Sequence, residues 1–369
     1  MPAPSVPDYG RSTLADLLPS LGAHLGVRGA TDCLGLPDGS RYVLLLVDGL
    51  GRHQLGRYAE QAPYLAGLQG RRITSGVPST TATSITSLGT GLAPGRHGIA
   101  GYSFWYPPER RVLTTLRWPS GLSGLDVQPQ LTYLERLEGA GVRTSTVAPA
   151  HFAGTGLTTA ALRGPSFLPV TDEADHARRL DLVTQAVASA ERTLTYCYER
   201  RLDHAGHSHG VGSPQWLAEL AHADHLAGVL RSGLADDVRL VVTGDHGMVD
   251  VPADARLFVE DEPALLTDVT ALAGEGRLRQ LMTPRPDEVA ERWRQRLGER
   301  AWVRTRDEAV TEGWFGDLSP RLADRFGDVL VAMADDGAIM TRTLPKELAL
   351  VGMHGSLTRA ELDVPLLVD

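Results

Sequence analysis

Cysteine is nearly absent. Cys33 and Cys197 have neither the CxxC spacing of a redox or zinc motif nor enough company for a disulfide framework. Cys197 falls in an apolar run and reads as a small core residue. No stretch approaches 18 consecutive apolar residues, so no transmembrane helix is predicted. The first ten residues are proline-rich and lack a cationic start followed by an apolar run, which makes the cytoplasm the expected compartment. Excess basic charge is missing too: the net charge of -9 argues against a broad basic face for duplex nucleic acid. Lys346 is the single lysine among 36 basic residues, a bias that carries no functional reading. The GxxxxGK[ST] phosphate loop, the HExxH zinc helix and the GxSxG elbow are all absent. Gly89, Gly91 and Gly95 have the wrong spacing for a dinucleotide loop.

What is present describes an ordinary globular chain. Its 369 residues are 42% hydrophobic and 22% charged, enough to bury a large core without disulfides or a structural metal. Apolar runs of strand length occur at residues 42–47, 142–147, 193–198, 238–243 and 328–333, with a further strand expected at 72–77. Such β-rich runs without alternation read as strands buried on both faces. Helical patterns lie between them, at 130–139, 174–190 and 214–232. The alternation predicts an α/β sandwich around a mostly parallel sheet. Residues 251–324 differ, being rich in Arg and Glu, weak in buried-strand signal, and holding a predicted helix at 286–298. The expected organisation is an N-terminal extension over 1–40, a catalytic core over 41–250 and 325–369, and an inserted cap over 251–324.

Ligand sites in such sheets gather beyond the carboxyl ends of the strands. Asp48-Gly49 and Asp245-His246-Gly247 directly follow apolar runs there. Asp203-His204-Ala205-Gly206-His207 follows another run, and His354-Gly355 lies near the C-terminus. Each candidate is read as standing in a loop or beside a glycine, where the chain can turn and present a side chain. Any one Asp at a strand end is commonly a cap, and a lone loop His is commonly solvated. Mixed Asp/His clusters at four such places instead suit zinc or a similar divalent ion. Three Asp and three His would furnish two sites. His204, His209, His222 and His225 lack such company and read as solvated. A second constellation, Pro78-Ser79-Thr80-Thr81-Ala82-Thr83-Ser84, precedes a short apolar run. Clustered hydroxyls there serve either as a helix N-cap or as a metal-activated nucleophile beside a helix N-terminus that favours phosphate.

In order along the chain, six stretches resemble the alkaline phosphatase superfamily, most closely its nucleotide pyrophosphatase/phosphodiesterase branch. They are VLLLVDG at 43–49, PSTT at 78–81, GTGLAPGRHGI at 89–99, DHAGH at 203–207, TGDHG at 243–247 and MHG at 353–355. The resemblance implies a three-layer sandwich with a central mixed, mostly parallel sheet and a smaller inserted cap. It implies one metal held by Asp48, Asp245 and His246, with Thr81 as the bridging nucleophile, and another held by Asp203, His207 and His354. Counting back from His97-Gly98-Ile99 places the family's nucleophile on Thr81 rather than Thr80 or Thr83. Two divalent ions are thus expected, zinc first, with manganese or iron as alternatives. The implied mechanism is an in-line displacement through a phosphothreonine intermediate.

The chain departs from the family at two positions. The phosphate-binding Asn some 21 residues after the nucleophile is replaced by Tyr102, whose hydroxyl is the expected substrate contact. The Phe-Pro that usually follows the nucleophile is replaced by Ala82-Thr83; Phe104, Trp105 and Tyr106 offer either a substitute stacking surface or core. The expected activity is hydrolysis of a phosphodiester or pyrophosphate bond in a small phosphorylated molecule such as a nucleotide derivative. The alternatives are phosphomonoester or phosphonate hydrolysis, with Arg71, Arg72 or Arg96 meeting the extra charge, and an inactive metal-binding scaffold. No coiled-coil heptads suggest an assembly.

Overall fold

The computed structural model describes residues 3–369, so Met1 and Pro2 of the expected N-terminal extension lie outside the described residues. Seven strands form the central sheet, in the order Gln69–Thr74, Asp363–Val368, Val238–Gly244, Arg41–Val47, Thr193–Glu199, Arg143–Pro149 and Ser166–Val170. The five from Val238–Gly244 to Ser166–Val170 pair in parallel. Asp363–Val368 runs antiparallel to both its neighbours.

The central strand shows why these runs lack alternation. Tyr42, Leu44 and Leu46 point into one apolar layer, while Val43, Leu45 and Val47 point into the other. Period-2 geometry sends neighbours to opposite faces, and both faces here are covered by helices. The first layer holds helices Leu17–His24, Thr81–Thr90, Tyr133–Gly139 and Gly156–Leu162. The second holds His176–Val187 and Pro214–Gly233.

Helix Thr81–Thr90 is rich in hydroxyl residues of modest helix propensity, so its surroundings must hold it. Nine of its ten residues are buried. Thr80 caps its start by accepting from the Thr83 backbone N–H, and Gly91, at φ +67°, ends it in the left-handed region. Thr86 and Thr90 return their hydroxyls to the carbonyls of Ala82 and Thr86 at 2.7 and 2.6 Å. A Cβ at Gly89 would collide with the Ala161 carbonyl oxygen of helix Gly156–Leu162, so the absence of a side chain sets the approach of these two helices.

A second, four-stranded sheet has the order Ala271–Glu275, Leu278–Met282, Val329–Met333 and Ala301–Thr305, all antiparallel. Helix Pro286–Leu297, in the place expected from sequence, packs on it through the buried Trp293. The sequence reading grouped the run at 328–333 with the core strands; the structure pairs Val329–Met333 with strands of the smaller sheet. The physical reason is that a strand buried on both faces has one appearance in either sheet: Leu330 and Ala332 face the main core, Val329, Val331 and Met333 the smaller one. This sheet is fastened to the rest by buried charge. Arg277 donates to both oxygens of Glu361 at 3.0 and 2.8 Å, and Arg279 pairs with Glu347.

Candidate active site

Register places the first carboxylates. Val47 stands opposite Glu199 on one side and Gly244 on the other, so the next residues of two neighbouring strands, Asp48 and Asp245, emerge side by side. Gly49, at φ +74°, turns the chain so that its N–H donates to Asp245 Oδ1 at 3.0 Å. For Asp203 and His207 the expectation was a loop or a glycine neighbour; Gly206 adjoins His207, and the segment is helical rather than a loop. They lie on helix Arg201–His209, four residues apart and on one face, with His207 Nε2 3.4 Å from Asp203 Oδ2.

Three imidazoles share one arrangement. His207 Nδ1 donates to the Gly352 carbonyl at 2.8 Å, His246 Nδ1 to that of Gly247 at 3.0 Å, and His354 Nδ1 to that of Ser79 at 2.9 Å. With each Nδ1 carrying its proton toward a carbonyl, each Nε2 presents a lone pair. His354 Nε2 lies 3.3 Å from His207 Nε2 and 3.8 Å from Asp203 Oδ1. His246 Nε2 lies 3.4 Å from Asp48 Oδ1 and 3.5 Å from Asp245 Oδ2. The His246 and His354 rings stack at 3.6 Å between centroids, which joins the two groups.

Thr81 opens its helix with Oγ1 3.1 Å from His246 Nε2 and 3.4 Å from Asp48 Oδ1. Thr80 and Thr83 are spent on the cap. Burial, then the charges of Asp245 and Asp203, holds the Asp48 carboxyl well above the usual carboxylate range. Burial, followed by His246 and His207, pushes the His354 imidazole well below its ordinary value, so it is neutral. Tyr198 donates its hydroxyl to Asp48 Oδ2.

These residues fit a divalent cation. Asp203 Oδ1 and Asp245 Oδ2 are buried without a hydrogen-bond partner, and polar atoms left so are uncommon in folded proteins. Asp48, Asp245 and His246 bring ligand atoms within 4.8 Å of one another, as do Asp203, His246 and His354. Carboxylate oxygen with neutral imidazole nitrogen is a donor set that suits zinc and its neighbours.

The site opens into a cavity of about 720 Å³ that reaches Thr81, Asp48, Asp203, His207, His354 and Tyr102. Tyr102 is half-buried, and burial raises its hydroxyl above the ordinary tyrosine value. Phe104 and Tyr106 are core residues, and the 104–106 aromatics do not reach the cavity; the aromatic wall comes instead from Trp118, Phe152, Phe167, Tyr196 and Tyr198. Arg71, Arg72 and Arg96 are turned elsewhere, toward Gly35, Asp363 and Asp317. The cations on the cavity wall are Arg117, Arg200 and Lys346, of which Arg200 is tied to Glu173. His204, read as solvated, lines the cavity. His222 packs against His176 and stands 3.8 Å from Glu199. Glu275, from the smaller sheet, also lines the cavity; its only sequence signal is a carboxylate between Gly274 and Gly276.

A family model described as Type I phosphodiesterase / nucleotide pyrophosphatase matches residues 42–357. The chain belongs to that family. It is accordingly a hydrolase of the alkaline phosphatase superfamily, acting on phosphoesters. Murine ectonucleotide pyrophosphatase/phosphodiesterase 5 is similar at TM-score 0.70 and 17% identity, over 89% of this chain and 87% of that one. It has also been solved as an inactive threonine-to-alanine variant in complex with AMP. Phosphonoacetate hydrolase from Sinorhizobium meliloti 1021, in complex with phosphonoformate, is similar at TM-score 0.68 and 19% identity, over 89% of each chain. At these identities the likeness concerns the fold, and it bears out the alkaline phosphatase-like sandwich expected from sequence. Among the described residues no helix is long and apolar enough to cross a membrane.

Proposed function

We propose that this hydrolase cleaves a phosphodiester or pyrophosphate bond in a small molecule, a nucleotide derivative among the candidates, with Thr81 as nucleophile. The observation that carries this reading is the Thr81 hydroxyl, at the first turn of a buried helix, within hydrogen-bond reach of both Asp48 and His246. Two divalent ions, zinc first with manganese or iron as alternatives, would be held by Asp48, Asp245 and His246 and by Asp203, His207 and His354. When bound they would supply the positive charge that favours the ionised threonine and the developing leaving oxygen. Thr81 Oγ1 gives up its proton to solvent and forms a bond to phosphorus as the bond to the leaving oxygen breaks; water then adds its oxygen to phosphorus as the Oγ1–phosphorus bond breaks, and a proton from that water restores the threonine hydroxyl. Backbone N–H groups at the start of helix Thr81–Thr90 face the phosphoryl oxygens, where the helix N-terminus favours negative charge. Tyr102 is the hydroxyl donor in place of the family's amide. The inactive threonine variant of the murine relative supports the assignment of Thr81 by analogy.

A cavity of about 720 Å³ with an aromatic wall exceeds what a bare phosphate needs, which favours a substrate with an organic substituent. A second reading, phosphomonoester or phosphonate hydrolysis, is favoured by Arg117 and Lys346, which face the cavity without an ion-pair partner among the described residues and suit a further negative charge. Hydrolysis of bis-p-nitrophenyl phosphate against p-nitrophenyl phosphate, after reconstitution with zinc or manganese, separates the two. Diester turnover is expected to be the faster and to vanish on chelation. Thr81→Ala should lose at least about a thousandfold in turnover while retaining metal. Near-wild-type rates in that variant would remove Thr81 from the chemistry.

A further inference from the structure

Glu275 is the last residue of strand Ala271–Glu275, where the smaller sheet meets the cavity. Its Oε1 is buried and has no hydrogen-bond partner. The two buried guanidiniums closest to it along the hairpin are already committed, Arg277 to Glu361 and Arg279 to Glu347. The basic nitrogen beside it is the neutral His354 Nδ1, 4.0 Å from Oε2, and that N–H is taken by the Ser79 carbonyl at 2.9 Å. Glu275 therefore stands at the Nδ1 edge of His354, away from the Nε2 lone pair that faces Asp203 and His207. It is in neither of the groups whose ligand atoms converge.

The loop beside it is shaped to admit it. A Cβ at Gly355 would come within 3.0 Å of Glu275 Cγ, and Gly355 has φ +130°, where a side chain is strained. A buried acceptor without a partner is costly, and the cost is recovered when a donor arrives. Glu275, Tyr102 and Gly276 line the cavity that also reaches Thr81, so a donor meeting the Glu275 carboxyl would belong to a molecule bound at the Thr81 site.

We propose that Glu275 is a specificity-determining acceptor for a hydrogen-bond donor, an ammonium or a hydroxyl group, on the substrate substituent that lies under the smaller sheet. The proposal rests on the phosphodiester reading above, since it requires a substituent on phosphorus besides the leaving group. A hydrogen bond that meets this otherwise unpaired acceptor is worth about tenfold or more in affinity.

The test compares 2-aminoethyl, 2-hydroxyethyl and ethyl phosphate by calorimetric binding to the metal-loaded Thr81→Ala protein. The matching p-nitrophenyl diesters are compared by kcat/KM with the wild-type enzyme. At least one donor-bearing ligand is expected to exceed its ethyl counterpart by about tenfold, and the arm that does so tells ammonium from hydroxyl. In Glu275→Met, which keeps the length of the side chain but has no oxygen acceptor, that ratio should fall to within about twofold. Equal binding of all three ligands by the unsubstituted Glu275 site overturns the proposal without recourse to any variant, as does an advantage that survives in Glu275→Met. Turnover of the ethyl diester without a donor advantage rejects the role of Glu275 and leaves the phosphodiesterase reading standing. A Glu275-dependent binding advantage without turnover of any diester does the reverse.

Discussion

Replacing Arg277 by Met tests how the smaller sheet is held to the site. Arg277 and Glu361 are both fully buried, and the guanidinium also donates to the carbonyls of Asp335 and Gly337, each at 2.5 Å. The substitution keeps an unbranched apolar stem but strands the Glu361 carboxylate, which is left with the Ser356 N–H and the Thr358 hydroxyl. Breaking one side of a buried pair costs about 3–5 kcal/mol. For a chain of 369 residues each kcal/mol moves Tm by roughly 1.3 °C, so scanning calorimetry should show a fall of about 4–6 °C. The carbonyl of Glu361 receives the Gly247 N–H at 2.8 Å, next to His246, so bound metal should be lost more readily too. The double variant Arg277→Met/Glu361→Gln should be more stable than Arg277→Met alone, because the stranded charge is gone while the amide oxygen still accepts from Ser356. A shift below about 1 °C, or a double variant no better than the sum of the singles, would refute the reasoning.

Glu199 and Arg179 form another fully buried pair. Burial alone would raise the Glu199 carboxyl, but the nearby His222 imidazole, the Arg179 charge and the Arg201 N–H hold it down at about 2. A depressed carboxyl contributes stability above its unfolded value near 4.5 and loses it as pH falls toward 2, so the Tm gap between wild type and Glu199→Gln should narrow from pH 5 to pH 3. A constant gap over that range would count against the pair. Gly89→Ala should force helices Thr81–Thr90 and Gly156–Leu162 apart, costing about 1–3 kcal/mol as an overpacked contact. An unchanged melting temperature would mean that the helices yield without strain.

Legibility followed chemistry that is local in the chain. Asp48, Asp245 and His246 could be read because each ends an apolar run, and strand ends in a parallel sheet converge. The helix carrying Asp203 and His207 is not among those expected from sequence, since a four-residue spacing of polar side chains soon after a strand has no apolar stripe to announce it. Strand Val329–Met333 was legible as a strand but not by sheet, because full burial erases the pattern that tells one partner from another. Glu275 and the Trp118, Phe152 and Phe167 wall were invisible for another reason: they reach the cavity from separate segments, and only the tertiary structure brings them together. Tyr102 was singled out by counting onward from Thr81, and it lies on the cavity wall.

The stacked rings of His246 and His354 close a loop of about a hundred residues that contains the whole smaller sheet. Closure cost grows only with the logarithm of loop length, and doubling such a segment adds about 0.6 kcal/mol. The two imidazoles thus act as a clasp on an inserted frame. Exposed loops of the segment that carries Glu275 can be lengthened or trimmed at little thermodynamic penalty so long as Arg277 and Arg279 keep their partners, while Thr81 and the six side chains around it keep their places on elements outside that segment.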